Sequence, residues 1–260
     1  MGVDVSGVDA WQLLISGLLG LIGGSLSGLG GVGGGIFFVP ALVYVAGWGI
    51  KEAVAASLVV VIFSSLSGTI RNARSEDPVD WRNAALLSSA VAPASLIGVA
   101  ISSFSPDVVV KLAFATLLIV LAYPMARGRP NFDETSFKIP TALVLVAGAG
   151  IGALSGLVGV GGGVLMVPLM VLGLGMRTKV AVSTSLAVVL ATGILASAGY
   201  LATGFGRLSE LPPLIVGSMV GAWIGVRLRD LLPEGAIRIG FAVFMAVVAL
   251  RVISDAAGIL

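Results

Sequence analysis

Two glycine clusters carry the most suggestive chemistry in this chain: Gly30, Gly31, Gly33, Gly34 and Gly35, and then Gly159, Gly161, Gly162 and Gly163. Each glycine inside a helix costs about 1 kcal/mol relative to alanine, so a cluster of them opens the backbone. The apolar runs that follow, 33–46 and 161–175, can restart only as short helices or re-entrant arms. The first amides of such a helix have no intrahelical partner. Together with the helix dipole they favour an anion. The expected chemistry is noncovalent capture of a small anion at Gly33, Gly34 and Gly35 and at Gly161, Gly162 and Gly163. Pro40 and Pro168 fall inside the short runs, where each removes a backbone donor and favours a kink. The competing reading is that these glycines only let helices pack closely.

Hydroxyls extend the candidate set, because they can donate to an anion without placing a charge in an apolar interior. Ser57, Ser64, Ser65, Ser67 and Thr69 share one apolar segment, and Ser183, Thr184, Ser185 and Thr192 share another. Ser57, Ser183 and Ser185 fall at matched depth and are the candidate ligands. A helical Ser or Thr also bonds its own backbone, which is the competing role.

Missing residue types narrow the field. The chain has no cysteine and no histidine. That excludes thiolate metal sites and thiol catalysis, and removes the commonest general base. No Asp, Glu, Lys or Arg lies near the middle of any apolar segment, so a proton relay through an internal acid lacks an obvious carrier. No enzyme, metal site or cofactor is expected. The 15 basic and 13 acidic residues give a net charge of +2 with no basic stripe, so nucleic acid is not an expected partner. Gly28-Leu29-Gly30-Gly31-Val32-Gly33 fits the G-x-G-x-x-G pattern, but it follows an apolar run rather than a strand, and the second copy has Val158 at the middle glycine. A nucleotide site is therefore not expected.

The elements that position these residues belong to a membrane protein. Hydrophobic residues make up 57% and charged residues 11%, against about 25% charged in a soluble domain. The mean hydropathy is +1.10. Too little polar material exists to coat a globule, so lipid is the expected solvent. Apolar segments at 10–27, 52–70, 83–103, 107–126, 139–156, 180–203, 210–226 and 236–254 are candidate spans, each near the roughly 20 residues that cross a bilayer. The N-terminal stretch has no basic residue before its apolar run, so it is read as mature protein rather than a secretory signal.

Basic residues set the expected sidedness. With the N-terminus outside, Arg71, Arg74, Arg82, Arg127, Arg129, Lys138, Arg177, Lys179, Arg227 and Arg229 fall on the cytoplasmic side, with Arg238 starting the last helix there. Lys51, Lys111, Arg207 and Arg251 lie toward the outside. Trp11, Trp48 and Trp81 are expected at the interfaces, and Trp223 between helices. Arg71, Arg74, Lys51 and Lys179 could attract an anion at the mouths, although topology anchoring accounts for them.

The chain is also duplicated. Residues 27–42 read SGLGGVGGGIFFVPAL and residues 155–170 read SGLVGVGGGVLMVPLM. In the same register Gly20, Gly24 and Gly28 match Gly148, Gly152 and Gly156, and Ser57-Leu58 matches Ser185-Leu186. These ladders, and Gly217-Gly221-Gly225, have the spacing of four that lets helix backbones approach. Each half holds an odd number of traversals, so the second starts on the opposite side. The expected fold is all-α and polytopic, with two inverted-topology repeats. Each repeat has a glycine-broken short helix or re-entrant arm plus three to four spanning helices. The repeats cover 10–126 and 139–256, joined by a cytoplasmic linker at 127–138. Inverted repeats with broken helices are a secondary-transporter pattern.

The paired motif S-G-L-x-G-V-G-G-G-x-x-x-V-P-x-[LM], with a Ser-Leu on the next helix, resembles the TauE/SafE family of membrane proteins. The segment GTIRNARSEDPVDWRNAALL resembles that family's first-half loop. The second half departs from it, with GYLATGFGR standing where Arg71 and Arg74 would have counterparts. The resemblance implies a permease of the bacterial plasma membrane for sulfite, sulfonates or related sulfur-containing anions, often an exporter. Expected partners are that small anionic solute and the lipid bilayer; a homo-oligomer is compatible. Composition does not separate a carrier from a passive anion channel, nor from a membrane protein without a transport role.

Overall fold

The computed structural model describes residues 10–30, 33–127, 140–204, 210–228, 231 and 233–258. Among the described residues the structure is all-helical, and its helices follow the expected segments within a few residues. In the first half these are α1 (Ala10–Gly30), α2 (Gly35–Tyr44), α3 (Ile50–Asn72), α4 (Trp81–Phe104) and α5 (Asp107–Arg127). In the second they are α6 (Thr141–Val158), α7 (Gly163–Leu174), α8 (Thr178–Ala202), α9 (Pro212–Leu228) and α10 (Glu234–Ala256). Beyond Arg127, the linker expected at 127–138 lies outside the described residues, as do Gly31, Arg207 and Arg229.

Among the described residues six helices, α1, α3, α4, α6, α8 and α10, are long and apolar enough to cross a membrane. At 1.5 Å per residue the 10-residue α2 and the 12-residue α7 are about 15 and 18 Å long, roughly half the hydrocarbon thickness. Neither can cross alone. Large apolar side chains remain exposed around the helices, including Ile97, Phe104, Val146, Val216, Val247 and Leu250. This is the surface of a protein whose solvent is lipid. Among the described residues every buried polar side chain is a Ser, a Thr or Asn72, with no carboxylate, ammonium or guanidinium.

The two halves interlock. α1 packs chiefly on α9, and its repeat mate α6 packs chiefly on α4. The glycine ladders make both contacts. A Cβ on Gly20, Gly24 or Gly28 would strike the backbone of Leu214, Ser218 or Ala222. A Cβ on Gly152 or Gly156 would strike the carbonyl of Val91 or Ser95. The ladders therefore pack, as their spacing implies. Both pairs run parallel, since the contacts advance together along the two helices.

α3 packs on α8 and α5 on α10, so each of these helices meets its own repeat mate. α3 and α8 are antiparallel: Gly68 lies against Leu186 and Gly193 against Ile62. α5 and α10 are antiparallel too, with Lys111 near the start of one ion-paired at 2.6 Å to Asp255 near the end of the other.

Charges cluster at the two ends. At the end holding the start of α3, Lys51 pairs with Asp107 at 3.7 Å and Arg251 lies 5.5 Å over Tyr44. At the opposite end Asp77 pairs with Arg177 at 3.1 Å, while Arg74, Arg82 and Lys179 are exposed. Two tryptophans differ from expectation. Trp48 is buried in a cluster with Leu42, Ala53 and Leu211 instead of facing an interface. Trp223 is 46% exposed rather than enclosed between helices, and Arg71 lies 4.7 Å over its ring.

Candidate functional site

Both glycine breaks form as the clusters predict. Gly33 and Gly34 have φ of 76° and 80°, and Gly161 and Gly162 have 79° and 76°. Consecutive left-handed residues are tolerated here because glycine has no Cβ. α2 restarts with Phe37 and Phe38 donating to Gly34 O, and α7 restarts with Leu165 and Met166 donating to Gly162 O. The amides of Gly35 and Ile36, and of Gly163 and Val164, therefore lack a partner inside their own helices.

The breaks meet. Gly33 and Gly161 each lie against the Cγ1 atoms of both Val61 and Val189. Val61 is midway along α3 and Val189 midway along α8. Gly35 is packed directly on Gly159 O and Val160. The starts of α2 and α7 thus converge at the α3–α8 crossing, and two fully buried valines close the space between them.

Hydroxyls line this junction, but several are engaged. Ser57 Oγ lies 2.8 Å from Gly159 O and 2.8 Å from Val54 O. Ser64 Oγ lies 3.2 Å from Gly33 O and 3.2 Å from Val61 O. Ser57 and Ser64 of α3 therefore each tether one break. On α8, Ser185 Oγ donates to Val182 O and Thr192 Oγ1 to Val188 O. Ser57 and Ser185, mates by sequence, lie four residues before Val61 and Val189 on antiparallel helices, so they flank the junction from opposite sides. Ser183 is buried with no partner for its Oγ, one residue past Val182. Ser57→Ala should cost about 1–3 kcal/mol, since it strands Gly159 O without that donor. Thermal unfolding in detergent checks this; an unchanged midpoint would show that the tether contributes nothing.

Sequence reasoning missed two hydroxyls. Ser27 and Ser155 open the two copies of the repeated motif, are fully buried, and leave Oγ without a partner. Ser155 Oγ lies 3.6 Å from where a Cβ on Gly162 would stand. Their place as the first residue of both motifs was the available signal. A small niche lined by Leu117, Leu121, Ile151, Ser155, Val160 and Gly162 opens beside the second break.

A third group is more unusual. Ser65, Thr69 and Asn72 are 0%, 4% and 0% exposed, and their side-chain oxygens and the Asn72 nitrogen have no protein partner. Each buried group left unsatisfied costs about 1–3 kcal/mol. Among the described residues no group of three or more His, Cys, Asp or Glu could hold a metal.

A known protein family matches the stretch that holds these features. The sequence profile of the sulfite exporter TauE/SafE family matches residues 16–252, which include both breaks, the ladders and every hydroxyl above. The chain belongs to the sulfite exporter TauE/SafE family. Among relatives, the probable membrane transporter protein YunE of Bacillus subtilis is 26% identical over 237 residues, covering 82% of this chain and 86% of the relative. A probable membrane transporter protein of Haemophilus influenzae is 25% identical over 259 residues, covering 92% and 97%. The sulfite exporter TauE/SafE family protein 3 of Arabidopsis thaliana is 34% identical over 117 residues, covering 43% of this chain and 24% of that protein. No solved structure matches the chain. This TauE/SafE member is a multi-pass membrane transporter, and its family is one of transporters rather than enzymes.

Proposed function

We propose that the chain is a secondary permease for a small anion of the sulfite or organosulfonate class, working in export by alternating access around the paired glycine breaks. One observation carries this reading: the starts of α2 and α7 converge at one point, with Gly33 and Gly161 against the same two valines. Two helix N-termini meeting at a junction of hydroxyls offer backbone donors and dipoles to an anion, and among the described residues no Lys or Arg is fully buried to trap it. Gly33, Gly34, Gly35, Ser57, Gly161, Gly162, Gly163, Ser183 and Ser185 are the proposed binding residues, joined by Ser27 and Ser155. The anion class rests on membership of a sulfite exporter family.

The two repeats, 10–126 and 139–256, are read as inverted about an axis in the membrane plane. The antiparallel pairs α3–α8 and α5–α10 support this, because each helix meets its own mate head to tail. The parallel pairs α1–α9 and α4–α6 support it equally, since that layout sends both members of each pair the same way. The proposed location is the bacterial plasma membrane, with the N-terminus outside and the linker at 127–138 in the cytoplasm. Ion pairing of Lys51 with Asp107 and of Lys111 with Asp255 at one end, and exposed Arg74, Arg82 and Lys179 at the other, agree with that orientation.

Thermal unfolding of purified protein against sulfite, methanesulfonate, sulfate and chloride at equal ionic strength tests the anion class. A ligand that binds only the folded state at 100 times its Kd stabilises it by about 2.7 kcal/mol. Sulfite or methanesulfonate should raise the midpoint above chloride. A flat response to all four anions would sink this assignment.

A further inference from the structure

The two ends of the α3–α8 core differ in a way the repeat does not require. On α3, Ser65, Thr69 and Asn72 are spaced by four and three residues and share one helix face. The face begins at the first break, where Ser65 Oγ lies 3.6 Å from the Cβ position of Gly33, and ends at Asn72, the last residue of α3. All three side chains are more than nine-tenths buried, and none of their polar atoms has a protein partner. On α8 the repeat places Gly193, Ser197 and Tyr200 at the matching positions. There the face is sealed: Gly193 packs on Ile62, Ser197 Oγ donates to Ile194 O, and the buried Tyr200 hydroxyl donates to Gly156 O at 3.0 Å.

A packed interface does not keep a row of unmet donors; a row that water or a ligand visits does. Its groups are two hydroxyls and a carboxamide, which can donate to an oxyanion without holding it by charge. Arg71 precedes Asn72 at the end of α3; its guanidinium lies 4.7 Å over the Trp223 ring, and its buried Nε has no hydrogen-bond partner. The loop from α3 to α4 lies at this end, held by Asp77 on Arg177 and by Asp80 N donating to Thr184 Oγ1.

We propose that Ser65, Thr69 and Asn72 form the half-pathway by which a small oxyanion travels between the paired breaks and the C-terminal end of α3, with Asn72 its outermost binding position. The opposite half-pathway is shut by Tyr200. The inference rests on the permease reading, but its test measures access without needing transport.

The chain has no cysteine, so single-cysteine variants report one position each. S65C, T69C and N72C, with S197C for comparison, are treated in sealed vesicles of both orientations with an anionic, membrane-impermeant methanethiosulfonate. S65C and T69C should react from the side where α3 ends, faster than S197C from either side, and methanesulfonate should slow them. Such one-sided labelling supports the pathway even in a protein that moves no anion. Unreactive S65C and T69C overturn it, whether or not the protein transports.

Asn72→Asp and Asn72→Leu give a second reading. A carboxylate of the same shape should cut methanesulfonate flux at least about tenfold, because like charges a few ångströms apart repel strongly away from bulk water. Leucine removes the unmet groups, so Asn72→Leu should raise the thermal midpoint while lowering flux. Full flux in both variants contradicts the proposal.

Discussion

Gly24→Leu is expected to abolish accumulation of folded protein. A side chain at this position would enter the backbone of Ser218, where no rotamer change can make room. Overpacking normally costs about 1–3 kcal/mol because neighbours yield. Here the neighbour is another helix backbone, and separating α1 from α9 would also break the contacts of Gly20 and Gly28 on the same face. The loss should exceed that range and take up much of the roughly 5–15 kcal/mol that holds a folded protein together. Gly152→Leu should behave alike, since it meets the carbonyl of Val91 in the mated pair α6–α4. Gly150→Ala is the contrast: nothing lies within 4 Å of its Cβ position, so the change should be neutral or stabilising by up to about 1 kcal/mol. Size-exclusion profiles and thermal midpoints in detergent separate the three. Normal folding of Gly24→Leu would show that the ladder is not a close-packed seam.

Gly33→Ala should leave an assembled protein that transports at least about tenfold more slowly. The left-handed φ of 76° costs alanine about 1–2 kcal/mol. Its Cβ would stand 2.6 Å from Val189 Cγ1, so the junction itself must shift. Gly161→Ala meets the same valine at 2.9 Å and φ of 79°, so its effect should be similar although it lies in the other half of the chain. Val189→Ala should return part of the activity to both variants by relieving their shared clash, but not the backbone term. Such coupling is expected of residues in contact. Independent behaviour of Gly33→Ala and Val189→Ala would mean that the breaks do not share this space.

Much of this architecture is legible in the sequence, for reasons that particular residues make clear. The spans follow from long apolar runs, and the breaks from glycines too dense for a continuous helix. The ladders show because spacing by four is a geometric requirement of close helices. What stays hidden is partner choice. Ser64 and Ser65 are adjacent and chemically identical, yet Ser64 reaches Gly33 O while Ser65 has no partner. Nothing in their local sequence distinguishes them; the rotation of α3 against α8 does. Asn72 reads as a loop residue beside Arg71 and proves to be buried. Ser27 and Ser155 were visible as motif positions, but their burial without a hydrogen-bond partner depends on tertiary packing. Trp223 read as buried because it is mid-segment, whereas a guanidinium 71 positions into the chain reaches across to it.

The central claim is that paired helix ends at the α3–α8 crossing bind an anion and release it alternately to the two sides. Counterflow in proteoliposomes tests it most directly. Vesicles loaded with unlabelled methanesulfonate and diluted into a trace of labelled methanesulfonate should accumulate label transiently above equilibrium, with saturable rates, and Gly33→Ala and Gly161→Ala should both suppress the overshoot. Label that only equilibrates, with no stimulation by substrate inside, would show a passive pore instead of an alternating site and would contradict the account.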